Sequence, residues 1–306
     1  MRARLGRPDL SDHRDRFAVP EALHDSAVSV TFLGVSTLLF RAGDDALLTD
    51  GYFSRPGLLA VAGTHLAPDR RRVRACLDRA GVQRLAAVIL VHTHVDHALD
   101  SPTVAELTGA PLVGGRSAMF VGRGAGLPDA SMLEVGDGTR ARLGAFEVEF
   151  AASEHCPPDR FPGPITRPVT LPTRARAFRC GEAWSLLVRH VTSDRTALVQ
   201  GSAGFRAGAL AGRRTDVAYL GLGQLGHRPV RYLEQYWEET VRAVGARRVV
   251  GVHWDDFFRP LDAPLRALPY AADDLDLTLR VLGRLADDDG VPLQLPTVWR
   301  AEDPWR

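Results

Sequence analysis

Seven apolar residues in a row, 85–91 (LAAVILV), run straight into His92-Thr93-His94-Val95-Asp96-His97. A half-exposed strand would alternate apolar with polar, so this unbroken run reads as a strand covered on both faces. The fold must therefore supply a layer on each side of it. The histidines cannot continue into that core, because unpartnered buried polar groups cost several kcal/mol each. They belong at the strand end. In an extended or turning segment His92 and His94 share one side, while Asp96 and His97 swing round the following turn. Imidazole nitrogens and carboxylate oxygens are common zinc ligands, so this spacing suits one cation on the first pair and another on the second.

The rest of the chain sets out the layers. Three short strand-like runs, 28–33, 37–41 and 46–50, are parted by Gly34 and by Gly43-Asp44-Asp45. Residues 69–80 read as a helix with Val73, Cys76, Leu77 and Ala80 on one face and Gly81 as its stop. Ser101-Pro102 opens a short helix, with proline where its missing donor costs nothing. Phe146, Val148 and Phe150 alternate with Glu147 and Glu149, which marks a strand with one buried face. Residues 184–190 and 196–200 pair as a hairpin through Thr192-Ser193-Asp194, and 217–220 reads as another strand. An amphipathic helix over 230–244 precedes the strand 248–252, which leads into His253, and a last helix covers 274–286. Between these lie residues 157–172, with six prolines in sixteen positions. They exclude helix or central strand and suggest a lid or pocket wall. Residues 1–27 form an N-terminal arm, and no linker divides 28–306. One α+β domain, an αββα sandwich of two mixed β-sheets flanked by helices, accounts for the pattern.

Composition narrows the function. The chain has 306 residues, 45% of them apolar, enough to bury a large core without cross-links. Its formal net charge is only +1, although all 38 basic residues are arginine. That balance argues against a general nucleic-acid binder. Cys76, Cys156 and Cys180 contain no C-x-x-C pair, a pattern that gives neither a disulfide framework nor a thiolate zinc site and suggests a reducing cytoplasm. The charged N-terminus lacks the apolar core of a signal peptide, and no apolar run is long enough to span a bilayer. A cytoplasmic protein acting on a small molecule is the expectation, with no nucleic-acid partner, no membrane span and an open oligomeric state.

The run HTHVDH resembles the H-x-H-x-D-H signature of the metallo-β-lactamase-fold hydrolases. Other landmarks of that family occur in order over roughly residues 28–256. TFLGVSTLLF and LLTDGYFSRP resemble its opening strands and strand-ending aspartate, here Asp50. FEVEFAASEH ends at His155, and VVGVHWDDF carries His253. The His-Trp pair followed by Phe resembles the branch of ascorbate-phosphate lactonase and the N-acyl phosphatidylethanolamine phospholipase D enzymes. The resemblance implies that His92, His94 and His155 hold one metal, and that Asp96, His97 and His253 hold a second. It implies that Asp50 accepts a hydrogen bond from a ligand imidazole and fixes its tautomer. Zinc, as one or two ions, is the implied cofactor, with manganese or iron as alternatives. The implied reaction is metal-assisted hydrolysis of a small ester, lactone or phosphodiester, with Asp96 orienting the attacking water or taking its proton. A thioesterase or a sulfur-oxidising enzyme would use the same signature.

One departure matters. The family has Gly-Asp-Thr or Gly-Asp-Ser after the late hairpin, where the aspartate bridges both metals; here Gly201 is followed by Ser202. A hydroxyl is a poor substitute: either one metal binds tightly at the three-histidine position and Asp96 is freed to act as base, or Asp255 or Asp256 supplies the lost charge. The expectation is a site still capable of two metals, with a weaker second one. A metal-binding but catalytically silent protein is the other reading. His227 and Tyr52 are candidates for substrate contact. Gly122-Arg123-Gly124-Ala125-Gly126 offers a phosphate nest without the strand-to-helix context of a dinucleotide site. Cys156 lacks the base a nucleophile would need.

Overall fold

The computed structural model describes residues 4–306. Two seven-stranded sheets stack face to face. The first contains β1 (Ser29–Phe32), β2 (Leu38–Ala42), β3 (Asp45–Thr49), β4 (Ala87–Ile89), β5 (Leu112–Gly114), β6 (Met132–Glu134) and β14 (Ala301–Glu302). Its order is β14-β1-β2-β3-β4-β5-β6, antiparallel from β14 to β3 and parallel from β3 to β6. The second contains β7 (Arg140–Leu143), β8 (Phe146–Ser153), β9 (Ala183–His190), β10 (Arg195–Gln200), β11 (Val217–Gly221), β12 (Val249–Val252) and β13 (Leu293–Gln294). Its order is β13-β12-β11-β10-β9-β8-β7, with the parallel half running from β10 to β13. Both sheets are mixed, as the α+β sandwich requires.

The apolar run resolves by alternation. Ala87 and Ile89 join Leu38, Phe40 and Leu47 in the core between the sheets, while Val88 and Leu90 face the other way with Leu39 and Leu48. That outer face is covered by the helices Arg70–Arg79, Ser101–Thr108 and Arg116–Gly124, which contribute Val73, Leu77, Val104 and Ala118. Across the interior Phe40 meets Phe146 at 6.2 Å and Tyr219 at 5.9 Å, both edge to face. On the second sheet Leu233, Trp237, Leu279 and Leu282 pack from the helices Val230–Trp237 and Leu275–Asp289. The helix expected over 230–244 is α-helical only to Trp237 and continues over Glu238–Arg242 as a wider π-type turn. The helix after the histidines starts one residue earlier than the Ser-Pro signal suggests. Asp100 is its N-cap but caps nothing, because its carboxylate accepts from Phe53 N, Ser54 N and Ser54 Oγ instead.

The arm is strapped to the body. Its 3-10 segment Leu10–Phe17 packs Leu10 and Phe17 against the core, and Leu295 N–H donates to Arg16 O at 2.8 Å. The proline-rich connection docks over the helix Arg116–Gly124. Val169 N–H reaches Phe120 O at 3.2 Å, and a Cβ on Gly124 would sit 2.2 Å from Val169 O. That close approach, not a phosphate, is what this glycine serves. No helix among the described residues is long and apolar enough to cross a membrane.

Candidate metal centre

Strand β4 stops at Ile89 because its neighbours change. Leu90 N–H still reaches Val113 O at 2.9 Å, but Val91 N–H turns to Asp50 Oδ1 at 3.0 Å. Val91 O then accepts from Trp184 N of β9 at 2.9 Å, so the chain crosses to the second sheet as the histidines begin. They emerge where the two sheets meet.

Two groups of side chains converge there. His92, His94 and His155 each present a ligand atom within 4.8 Å of the others, and so do Asp96, His97 and His253. In the first group the His92 ring lies 4.9 Å from His94 and 5.1 Å from His155, and His94 and His155 are 4.5 Å apart. In the second, Asp96 Oδ2 lies 3.2 Å from His253 Nε2 and 3.6 Å from His97 Nε2. The Nε2 atoms of His92, His94 and His97 are buried without hydrogen-bond partners. Orphaned buried nitrogens of this kind are costly unless something else takes their lone pairs. A divalent cation fits the donor set.

Behind His97 stands Asp50, which is fully buried. Its Oδ2 accepts from His97 Nδ1 at 2.8 Å and from Ser36 Oγ at 2.6 Å. That contact leaves His97 Nε2 as the free lone pair. Ser36 carried no signal in the sequence beyond its place in a turn. Behind His155, Nδ1 donates to Cys156 O at 2.8 Å, which again frees Nε2. Asp50 and His253 both sit at positive φ, 54° and 56°. Strained backbone at non-glycine residues persists only where the surroundings hold it. His253 N–H is held by Val35 O at 2.7 Å, and Asp50 N–H by Ile89 O at 2.8 Å.

Burial sets the charge states. It pushes the His92 pKa well down, helped by the neighbouring imidazoles of His97 and His94. It lowers His155 to about 4, with His94 adding to the effect. Burial opposes ionisation of Asp96, but His97 and His253 overcome it and hold the carboxyl below its ordinary range. His253 moves up despite burial, because Asp96 lies against it.

Ser202 is 7% exposed, and its Oγ accepts from Cys156 N at 3.0 Å. Its loop is wedged in place. A Cβ on Gly201 would lie 2.4 Å from Val91 Cγ2, and one on Gly204 would lie 2.1 Å from Glu154 O. The loop therefore braces both the start of the histidine run and His155. The expectation that Asp255 or Asp256 replaces the lost carboxylate is corrected. Asp255 accepts from Val35 N at 2.9 Å and is ion-paired with the buried Arg55. Asp256 is engaged by Arg266 at 2.9 Å and Arg7 at 3.4 Å. Both are committed to cations elsewhere. His227 is exposed, at the end of the short turn Leu225–His227, and joins neither group. Tyr52 is fully buried with an unpartnered hydroxyl. Burial, then the charges of Asp96 and Asp100, push its phenol well above its ordinary pKa. Cys156 is buried, and its thiol is pushed up to about 12, so it is no nucleophile at neutral pH. Sequence reasoning missed Asp159, which the proline-rich segment brings within 3.1 Å of His94 Nε2.

No protein-family model and no curated protein matches the chain. Solved structures do. The metallo-β-lactamase fold protein YhfI from Bacillus subtilis aligns with a TM-score of 0.51 at 15% identity, covering 90% of this chain and 98% of that one. This chain has the metallo-β-lactamase fold. A protein assigned as a metal-dependent hydrolase, from Parabacteroides distasonis, gives 0.53 at 10% identity, over 89% and 93% of the two chains. CmlA, a diiron β-hydroxylase from Streptomyces venezuelae, gives 0.57 at 14% identity, over 91% of this chain but 54% of its own length. The structural neighbours thus include both a hydrolase assignment and a diiron β-hydroxylase. At these identities they speak to the fold alone.

Proposed function

We propose that this protein is a metal-dependent hydrolase of a small ester, lactone or phosphodiester, with His92, His94 and His155 holding one ion and Asp96, His97 and His253 a second. The observation that carries the reading is the convergence of six side chains from distant segments, with three buried Nε2 atoms left without partners. Zinc suits these nitrogen and carboxylate donors; iron and manganese are the alternatives to be tested. A bound divalent ion would supply an acidified water and polarise the bond to be cleaved.

The chain's own residues do the rest. Asp96 stays ionised beside His97 and His253 and can orient the attacking water or hold its proton. Asp50 and Ser36 fix the His97 ring. The Cys156 carbonyl fixes that of His155. The proline-rich segment walls the His94 side through Asp159. With Ser202 turned to Cys156, the second ion has less compensating charge and is the weaker of the two. A catalytically silent binder would show the same metal content without turnover.

The test is metal analysis of purified protein together with turnover of generic phosphodiester, lactone and thioester substrates. His94→Ala and His155→Ala should abolish binding of the tighter ion and all turnover, and chelation should do the same until zinc is returned. Wild-type metal content in both variants would sink the assignment.

A further inference from the structure

A third set of donor atoms gathers on the other flank of His94. His94, Asp159 and Cys180 each offer one ligand atom, and the three lie within 4.8 Å of one another. They come from the histidine loop, the proline-rich connection and the stretch just before β9. Backbone bonds build the convergence. Thr93 N–H donates to Cys180 O at 2.8 Å, and Cys180 N–H to Phe161 O at 2.9 Å. Phe161 N–H in turn donates to Asp159 Oδ1 at 2.9 Å. The segment carrying Asp159 is thus stitched through residue 180 to the loop carrying His94.

The contact itself is unusual. His94 Nε2 and Asp159 Oδ1 are 3.1 Å apart, yet the buried Nε2 has no partner in hydrogen-bond alignment. Two acceptor atoms set side by side resemble co-ligands more than a donor and its acceptor. Bonds of about 2.0–2.2 Å to a tetrahedral zinc place neighbouring nitrogen and oxygen ligands about 3.3–3.5 Å apart. His94 is 8% exposed and Cys180 5%, while the Asp159 side chain is 20% exposed, so two of the donors are buried and the third faces the surface.

We propose that His94, Asp159 and Cys180 form a further cation seat, selective for thiophilic divalent ions such as cadmium and zinc, which draws on the same histidine as the first cluster. Sulfur supplies the selectivity, since thiolates favour soft ions over magnesium, calcium or manganese. As the metal–sulfur bond forms, the Cys180 thiol gives up its proton to solvent, so loading releases acid. Asp159 and Cys180 have no part in the hydrolytic reading, and the seat goes beyond it. Because His94 belongs to both sets, an excess of a thiophilic ion draws it from the first cluster and inhibits turnover.

The test is titration of the metal-free full chain with cadmium, following the ultraviolet thiolate-to-cadmium charge-transfer band. A saturable band is expected that vanishes in His94→Ala and in both Cys180→Ser and Cys180→Ala, whose folding is checked by thermal denaturation. In Asp159→Asn the affinity should fall by at least about tenfold. The band should persist in Cys76→Ser, in His92→Ala and in His155→Ala. No band in the wild-type chain, or a band surviving both Cys180 variants, overturns the proposal. So does its loss in His92→Ala, which would assign the thiol to the first cluster. The hydrolytic reading fails separately, if His92→Ala and His155→Ala leave zinc stoichiometry unchanged.

Discussion

The two histidine clusters differ in what stands behind them. Asp96, His97 and His253 are backed by a charged network: Asp50 accepts from Val91 N, Ser36 Oγ and His97 Nδ1, while Asp255 ties Val35 to Arg55 beneath His253. Behind His92, His94 and His155 the side-chain hydrogen bonds run to neutral groups: His155 Nδ1 donates to Cys156 O, Ser202 Oγ accepts from Cys156 N, and Thr93 Oγ1 donates to the carbonyls of Arg179 and Cys180. Their positions are set by close packing instead, with Gly201 against Val91 and Gly204 against the backbone of Glu154 and His155. One cluster is preorganised by hydrogen-bonded charge, the other by shape. The first kind of order is expensive to break at a single atom, whereas the second is spread over many contacts.

The largest test of that contrast is Asp50→Ala set beside His155→Ala. Removing the carboxylate takes away the acceptor of Val91 N and Ser36 Oγ and leaves His97 Nδ1 only the Ser36 hydroxyl. Metal-free Asp50→Ala should lose about 3–5 kcal/mol, as when other buried charge networks are broken. His155→Ala gives up one peripheral hydrogen bond and should cost about 1 kcal/mol. Urea denaturation of the apo-proteins measures both. Equal losses would erase the distinction between the clusters.

Acidification separates them next. Burial and neighbouring imidazoles keep His155 unprotonated down to about 4, and His92 is held well down too. The unfolded chain takes up those protons from about 6.5 downward, near the ordinary histidine pKa. Between these values it binds more protons than the folded chain. Apo-protein stability should therefore be complete above that window and fall as pH drops through it. His253 has the opposite sign: its raised pKa stabilises the folded chain in acid, and that contribution is lost as pH rises through the folded value. His92→Ala should flatten the acid limb of the stability profile, and His253→Ala should flatten the other. In zinc-loaded protein the second cluster should release its ion first on acidification, which metal analysis after dialysis at stepped pH would reveal.

Much of this is legible in the sequence. The unbroken 85–91 run required cover on both faces, and Val88 against Ile89 delivers it. Of the six convergent side chains, His92, His94, Asp96 and His97 are readable from chemistry, because polar groups at the end of a buried strand are excluded from its core, whereas His155 and His253 rest on the family resemblance alone. What could not be read was commitment. Asp255 and Asp256 follow His253 in sequence, but alternation and a tight turn send them to Arg55 and Arg266. Asp159 looked like one polar residue among prolines, since its meaning depends on a docking geometry that no local spacing encodes. Gly124 reads in sequence as part of a phosphate nest, whereas it and Gly204 let another backbone approach. Each miss is a long-range contact made by a loop.

The smallest expected effects come from Ser202, and there the contrast can be reversed at one position. Its Oγ holds Cys156 N–H at 3.0 Å, directly behind His155. Ser202→Ala removes that acceptor at a cost of about 1 kcal/mol and loosens the shape-built cluster, so the first ion should bind more weakly. Ser202→Asp keeps an acceptor for Cys156 and adds a carboxylate where two ions lack compensating charge. Overpacking in the wedged loop should cost about 1 kcal/mol of apo-protein stability. Against that, the second ion should bind about tenfold more tightly, within the range by which neighbouring groups tune metal sites. Isothermal titration with zinc resolves the two steps. If both substitutions move the same step in the same direction, the serine acts on the site as a whole, and the division into a charge-built and a shape-built cluster fails.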